Sequence, residues 1–215
     1  MKPIFKLSFL LFLVSGLSSA QNPEQFKMEI ARFSQMPVPE GEVIVITGSS
    51  SVRFWNVVAE DCSNASIVNT GFGGSQMSDL LYYIDDAVLR FDPSKVYIYE
   101  GDNDINAGKQ PQEVMDDLMA VLEKIYDHNP ETKVYLIGAK PSPSRWQFQA
   151  QYLALNQRLE AYSESTDGKI GYIDVWNPML NETGRPKPEI FIMDSLHMNR
   201  KGYDIWKEAI CPYMD

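Results

Sequence analysis

The sequence predicts a three-layer α/β/α fold built on a five-stranded parallel sheet, and three observations lead to that prediction. From Val43 onward, short β-rich runs alternate with longer stretches of helical periodicity. Gly, Pro, Asp or Asn bounds each short run, as turn residues do at strand ends. The 215 residues are enough for one well-buried domain and too few for two of ordinary size. Repeated βα units in one domain give a parallel sheet covered by helices on both faces.

The individual elements follow from hydrophobic periodicity. Strands are expected where apolar residues form short continuous runs, at 43–47, 66–69, 95–99, 133–137 and 170–175. Helices are expected where apolar residues recur at three- and four-residue spacing, at 79–91, 111–126, 145–163 and 199–211. An outer helix is expected at 23–35, before the first strand. Prolines cluster after the fourth and fifth strands, where we expect long irregular loops.

The first twenty residues have the pattern of an export signal. Lys2 and Lys6 supply a positive start, residues 7–17 are apolar, and small residues at 18–20 offer a cleavage site after Ala20. The apolar run is about ten residues long and falls short of the roughly 20 needed to span a bilayer. We therefore expect a signal peptide at 1–20 and a single domain at 21–215. The expected protein is secreted or periplasmic, with no stable membrane insertion after signal removal.

Charge and composition exclude several classes of partner. The formal net charge is −10, and removal of the two signal-peptide lysines makes it about −12. Nucleic acid is not an expected partner, because phosphate binding needs clustered Lys and Arg and the chain has no basic stripe. With two histidines in the chain a His-rich metal site cannot be built, so we expect no metal and no cofactor. A disulfide between Cys62 and Cys211 is permitted in an oxidising compartment, and the sequence leaves that pairing open.

The residues that follow each predicted strand are the first candidates for a site, because ligands of open α/β sheets bind at the carboxyl ends of the strands. The first strand ends in Gly-Ser-Ser-Ser at 48–51, where a hydroxyl and backbone N–H groups can face a substrate. The second ends in Asn-Thr-Gly-Phe-Gly-Gly-Ser at 69–75, where glycines let the backbone approach a ligand closely. No Gly-Lys-Ser/Thr ending follows, which disfavours a phosphate loop. Taken alone, each run is also explained as an ordinary turn or flexible loop.

Two further runs of polar residues complete the set of candidate site residues. The third strand leads into Glu-Gly-Asp-Asn-Asp at 100–104, where the Asn103 amide either donates to an oxyanion or closes an Asx-turn. These acidic residues lack the spacing of a calcium-binding EF-hand loop. Near the C-terminus, Asp194 precedes His197 by three residues, close enough for the carboxylate to orient the imidazole. A hydroxyl, a base, a carboxylate behind the base and a set of donors are what acyl transfer requires.

In order and spacing, these groups resemble the SGNH (GDSL-like) hydrolase family over about residues 43–206. Ser49 stands where the family's first block has Asp, and the register favours Ser50 over Ser51 as the nucleophile. The resemblance implies a flavodoxin-like α/β/α fold. It places the family's functional residues on Ser50, Gly74, Asn103, Asp194 and His197.

The reaction that the resemblance implies is hydrolysis of a carboxylic ester through a Ser50 acyl-enzyme. Ser50 Oγ attacks the carbonyl carbon while His197 takes its proton and Asp194 holds the ring. The backbone N–H groups of Ser50 and Gly74, together with the Asn103 side chain, hold the oxyanion. The implied protein is a serine esterase.

The sequence says less about the substrate. Arg145 and Trp146 follow the fourth strand, so they either line the substrate pocket with a cation and an aromatic face or anchor a packed loop. As pocket residues they favour a small acyl group on a polar leaving group, such as an acetylated sugar. We therefore expect an O-acetylesterase for glycan or small polar esters. The alternatives are a lipid-directed acylhydrolase or thioesterase, and a non-catalytic secreted binding protein on the same fold.

Overall fold

The computed structural model describes residues 22–214 and contains one five-stranded sheet in which all neighbouring strands are parallel. The strand order is β2-β1-β3-β4-β5, the flavodoxin-like order. The expected signal peptide lies outside the described residues. Within those residues, no helix is both long and apolar enough to cross a membrane. The strands are β1 (Ile44–Gly48), β2 (Ile67–Asn69), β3 (Lys95–Tyr99), β4 (Lys133–Ile137) and β5 (Ile170–Ile173).

Side chains along the strands alternate between two apolar cores, one on each face of the sheet. Val45, Val96 and Val134 are lateral neighbours in the first core. Ile46 and Tyr97 are neighbours in the second. All five side chains are completely buried. Burial on both faces explains why the strands read as continuous apolar runs in the sequence.

Helices cover both faces and complete the three layers. Apolar side chains of α1 and α4 to α8 belong to the first core, and those of α2, α3 and α9 belong to the second. The helices are α1 (Lys27–Ile30), α2 (Ser50–Arg53), α3 (Val58–Asp61), α4 (Met77–Tyr82), α5 (Ile84–Ala87), α6 (Asp102–Asn106), α7 (Pro111–His128), α8 (Gln149–Glu164) and α9 (Arg200–Ile210).

Three predicted helices are divided in the structure. The prediction of one helix at 79–91 is wrong, because Tyr83 and Val88 leave helical backbone angles and separate α4, α5 and a 3₁₀ helix at Leu89–Phe91. Ala87, Val88 and Phe91, on either side of the second break, are all buried. Likewise, residues 23–35 form 3₁₀ turns on either side of α1, and a 3₁₀ helix at Pro143–Phe148 precedes α8.

The structure settles the cysteine pairing that the sequence left open. Cys62 and Cys211 form a disulfide whose Cα atoms are 5.0 Å apart. Cys62 follows α3 and Cys211 follows α9, two helices that lie on the same face of the sheet. The bond therefore ties the C-terminal helix to the first βα unit across 149 positions of sequence.

Candidate active site

Ser50 lies at the turn between β1 and α2. Gly48 ends β1 with a φ of +137°, and a Cβ there would lie 2.1 Å from the carbonyl oxygen of Tyr99 on β3, so the position requires glycine. Ser49 N–H donates to that same oxygen at 3.1 Å. Ser49 and Ser51 are each 2% exposed, whereas Ser50 is partly exposed. The turn therefore presents the Ser50 hydroxyl and hides its two neighbours.

The His197 ring lies between Ser50 and Asp194. Its Nε2 is 3.0 Å from Ser50 Oγ, although the two residues are 147 positions apart, and its Nδ1 is 2.6 Å from Asp194 Oδ2. Because an ionised carboxylate only accepts hydrogen bonds, Nδ1 carries the ring hydrogen and donates a hydrogen bond to Asp194. In a neutral imidazole, which carries one ring hydrogen, Nε2 is then the acceptor for the Ser50 hydroxyl. This geometry pairs a hydroxyl with an imidazole nitrogen that can accept its hydrogen.

Asp194 and His197 share one tight loop. An antiparallel bridge between Phe191 and Met198 closes the loop, and the N–H groups of Leu196 and His197 each donate to Asp194 Oδ1 at 2.9 Å. Desolvation acts to raise the pKa of Asp194, but the bond to the His197 ring and these N–H groups lower it to about 2. Asp194 is therefore ionised at neutral pH, as the assigned ring tautomer requires.

The donors that the sequence predicts for an oxyanion come from the loops after β2 and β3. Gly74 has a φ of +85°, and among the described residues no heavy atom beyond its chain neighbours lies within 4 Å of the place where a Cβ would be. Asn103 Nδ2 donates to the Ser75 carbonyl oxygen at 2.8 Å. Phe72 N–H donates to Gly48 O at 2.8 Å. The loops after β1, β2 and β3 are thus joined side by side.

Arg145 and Trp146 lie in the 3₁₀ helix that follows β4, beside the His197 loop. Ser144 N–H donates to the Ser195 carbonyl oxygen at 3.2 Å and joins the two segments. Trp146 is half-buried and stacks on Trp176, with ring centroids 5.8 Å apart. The Arg145 side chain turns inward and is 13% exposed. The expectation that Arg145 and Trp146 line a substrate pocket stays a prediction.

A comparison with models of protein families identifies the family of this chain. A model of the GDSL-like lipase/acylhydrolase family matches residues 45–205, which run from β1 into α9. The chain belongs to this family. It is therefore a serine hydrolase that acts on ester bonds, and the resemblance seen in the sequence is confirmed. A sequence comparison with curated proteins finds no significant match.

Solved structures of other proteins share the fold of this acylhydrolase. A GDSL-like lipase from Bacteroides thetaiotaomicron has a TM-score of 0.73 at 20% identity, over 90% of this chain and 97% of that one. A carbohydrate esterase family 3 protein from Talaromyces cellulolyticus has 0.66 at 19%, over 80% and 96%. A variant of an acetyl-xylooligosaccharide esterase from Geobacillus has 0.68 at 14%, over 82% and 95%. These likenesses confirm the predicted fold.

A buried charged network lies beside Asn103 in this acylhydrolase, and the sequence analysis missed it. The Asp102 side chain is 5% exposed and lies 3.1 Å from Lys140 Nζ and 2.6 Å from Arg145 Nη1. The Tyr99 and Tyr152 hydroxyls lie 3.1 and 3.0 Å from its carboxylate oxygens. Desolvation acts to raise the pKa of Asp102, but the two cations hold it well below its ordinary value. The network therefore keeps an ionised carboxylate in the interior.

Glu100 is a second buried acid that the sequence analysis did not assign. Ser75 Oγ lies 3.0 Å from Phe72 O and 2.5 Å from Glu100 Oε1. A hydroxyl has one hydrogen, so it satisfies both oxygens only if the Glu100 carboxyl brings a proton of its own. Desolvation, with the nearby Asp104 carboxylate, raises the pKa of Glu100 well above its ordinary value. Both arguments indicate a neutral carboxylic acid under the Gly74 loop of this acylhydrolase.

Replacing Glu100 with glutamine is expected to stabilise this acylhydrolase at neutral and alkaline pH. A raised folded-state pKa gives stability that is complete below the ordinary pKa of 4.5 and is lost as the pH rises through the folded value. Between pH 4.5 and the folded-state pKa, the free energy of unfolding of the wild type falls by about 1.4 kcal/mol per pH unit relative to that of Glu100→Gln. Urea unfolding from about pH 5 to about pH 8 measures the difference. The exposed control Glu123→Gln should show no such trend, and a constant difference for Glu100→Gln would contradict a neutral Glu100.

Three exposed apolar residues, here called the apolar rim, lie beside His197 or in its loop, and they too went unnoticed in the sequence. The Phe54 ring meets the His197 ring edge-on, with centroids 5.1 Å apart, and is 48% exposed. Ile192 donates its N–H to His197 O at 2.9 Å and is 49% exposed, and the neighbouring Met193 is fully exposed. This acylhydrolase thus places three apolar side chains in solvent beside its histidine or in the loop that carries it.

Proposed function

We propose that Ser50 is the nucleophile, His197 the general base and Asp194 the group that orients His197. The observation that carries this proposal is the hydrogen-bonded chain from Ser50 Oγ through the imidazole to Asp194. The tautomer is the one that leaves Nε2 free to take the serine proton. Ser50 is also the exposed member of its serine run.

The chemistry proceeds in two stages. Ser50 Oγ bonds to the ester carbonyl carbon while its proton moves to His197 Nε2, and the carbonyl oxygen becomes an oxyanion. Collapse of this intermediate breaks the bond to the alcohol, which leaves with the proton from Nε2. Water then attacks the acyl group and gives a proton to Nε2. Release of the carboxylic acid returns that proton to Ser50 Oγ.

The oxyanion is held by donors from three neighbouring loops. These are the backbone N–H groups of Ser50 and Gly74 and the Asn103 amide. Donors fixed in advance by a folded scaffold stabilise the developing charge without reorganisation, which is why such groups are among the largest contributors to rate.

The substrate that we propose is an O-acetyl ester on a carbohydrate or other small polar molecule. Two of the structural relatives act on carbohydrate esters, one of them an acetyl-xylooligosaccharide esterase. Beside the site, the exposed Arg185 guanidinium lies 5.2 Å from the centre of the Trp146 ring. The exposed guanidinium offers several N–H donors to the hydroxyl groups of a sugar.

A lipid-directed acylhydrolase or thioesterase is the second candidate, and one observation favours it. Phe54, Ile192 and Met193 form the exposed apolar rim. Such a rim gains free energy when it covers a long acyl chain, at about 0.8 kcal/mol for each buried methylene.

An ester panel of increasing acyl length separates the two candidates. For an acetylesterase we expect kcat/KM for p-nitrophenyl esters to fall at least about tenfold from acetyl to octanoyl. Acetate should also be released from acetylated xylooligosaccharides. A rise with chain length that Ile192→Ser and Met193→Ser abolish would instead support the lipid-directed function. Ser50→Ala provides the background rate for every ester.

Export is the remaining part of the proposal. The pattern at 1–20 supports it, and the Cys62–Cys211 disulfide is the kind of bond that persists in oxidising compartments. Expression of the full chain in a bacterial host, followed by N-terminal sequencing of the periplasmic fraction, tests it. A first residue of Gln21 is expected, and retention of Met1 would contradict it.

A further inference from the structure

The orientation of the Asn103 carboxamide is fixed by its two neighbours. The oxygen and nitrogen ends of a carboxamide are similar in shape but opposite in hydrogen bonding. Asn103 presents Oδ1 to Arg145 Nη2 at 3.0 Å and Nδ2 to the Ser75 carbonyl oxygen at 2.8 Å. A guanidinium only donates and a carbonyl only accepts. Turning the amide by 180° would therefore lose both bonds and set like groups against each other.

This orientation leaves one donor for a ligand. The amide nitrogen carries two hydrogens, and the Ser75 carbonyl uses one of them. Among residues 22–214, the bond to Ser75 is the one hydrogen bond that Asn103 Nδ2 makes. Asn103 is half-buried, in the first turn of α6, beside the loop that carries Gly74 and Ser75. The second hydrogen is thus available to an oxyanion.

Arg145 is itself rigidly held. Its Nη1 donates to Asp102 Oδ1 at 2.6 Å, while Nη2 of the same guanidinium reaches Asn103. Asp102 is held in turn by Lys140 and by the hydroxyls of Tyr99 and Tyr152. The planar guanidinium of Arg145 therefore binds two consecutive residues, Asp102 and Asn103. A lysine ammonium does not reproduce this geometry.

We propose that Arg145 is a positioning residue of the hydrolytic reaction, which locks the Asn103 amide so that an N–H group faces the oxyanion. The proposal rests on the proposed function, because it assigns Arg145 a task at that same site. Without Arg145, Asn103 Oδ1 loses its donor and the amide is no longer confined to one orientation. The oxyanion forms only after substrate binding, so the loss of this donor lowers kcat and leaves KM unchanged.

A double-mutant cycle between Arg145 and Asn103 tests the proposal, with p-nitrophenyl acetate as the substrate. We expect Asn103→Ala to lower kcat at least about 100-fold and Arg145→Met to lower it about 10- to 100-fold, with KM within about twofold. In the Asn103→Ala background, Arg145→Met should have almost no further effect on kcat. Arg145→Lys, which keeps the charge beside Asp102, should recover part of the loss.

The matched control is Tyr152→Phe. It removes a hydrogen bond from the same Asp102 oxygen that Arg145 binds and leaves the contact between Arg145 and Asn103 in place. Its kcat should stay within about threefold of the wild type, a far smaller loss than that of Arg145→Met. Thermal unfolding establishes that each variant is folded, and Arg145→Lys replaces Arg145→Met in the cycle if the latter is not.

The outcomes separate this inference from the function on which it rests. Equal losses from Arg145→Met in the wild-type and Asn103→Ala backgrounds would overturn the positioning role, as would a wild-type kcat in Arg145→Met. In either case an inactive Ser50→Ala would leave the proposed function intact. Full activity of Ser50→Ala would overturn both.

Discussion

Substituting Ser50 with alanine is expected to lower kcat for ester hydrolysis by about 10⁶-fold, to the rate that the oxyanion donors and substrate binding support alone. Alanine removes the one hydroxyl that lies 3.0 Å from His197 Nε2. No acyl-enzyme can then form. Single-turnover kinetics with p-nitrophenyl acetate and labelling by a fluorophosphonate measure the loss, and Ser50→Ala should take up no label.

Ser51→Ala is the matched control for this experiment. Ser51 is the adjacent hydroxyl, but it is 2% exposed and its described contact is made by its carbonyl oxygen, which accepts from the Tyr203 hydroxyl at 2.9 Å. A backbone contact survives the substitution, so activity and labelling should stay within about threefold of the wild type. An inactive Ser51→Ala beside an active Ser50→Ala would assign the nucleophile to Ser51 instead.

Removing the disulfide is expected to destabilise the fold by about 2–5 kcal/mol. The bond between Cys62 and Cys211 closes a loop of 149 positions, and cross-links that close long loops restrict the unfolded chain most. In a chain of this size the midpoint of thermal unfolding should fall by on the order of 10 °C in the Cys62→Ala/Cys211→Ala variant. Calorimetry under oxidising conditions measures the change.

The reductant dithiothreitol supplies the control. It should lower the midpoint of the wild type toward that of the double variant and leave the double variant unchanged. An equal midpoint for the oxidised wild type and the variant would show that the cross-link adds no stability.

The sheet could be predicted closely from the sequence because its strands are buried on both faces. Such strands form continuous apolar runs, and the bounds predicted for β3 and β4 are those in the structure. The prediction of a single helix at 79–91 is wrong. Its apolar spacing is helical, but the backbone leaves helical angles at Tyr83 and Val88, and hydrophobic periodicity does not reveal such breaks.

The candidate site was predictable where its groups form local patterns. Ser50 follows a strand, and Asp194 lies three residues before His197, so both are visible in short runs of sequence. Lys140 also follows a strand, and the same rule applied to β4 would have found it. Its contact with Asp102 spans 38 positions and that of Tyr152 spans 50, and nothing local specifies such pairs. The catalytic roles themselves remain predictions.

The loop at 191–198 carries both Asp194 and His197, so two of the three groups of the proposed site come from one segment. Asp194 and His197 are bound to each other within that loop by both side-chain and backbone hydrogen bonds. Assembly is therefore an encounter of two preformed parts, the serine turn and the acid–base loop, instead of a meeting of three separate groups. With the proposed roles, a displacement of the loop would take His197 away from Ser50 while Asp194 and His197 stayed bonded to each other.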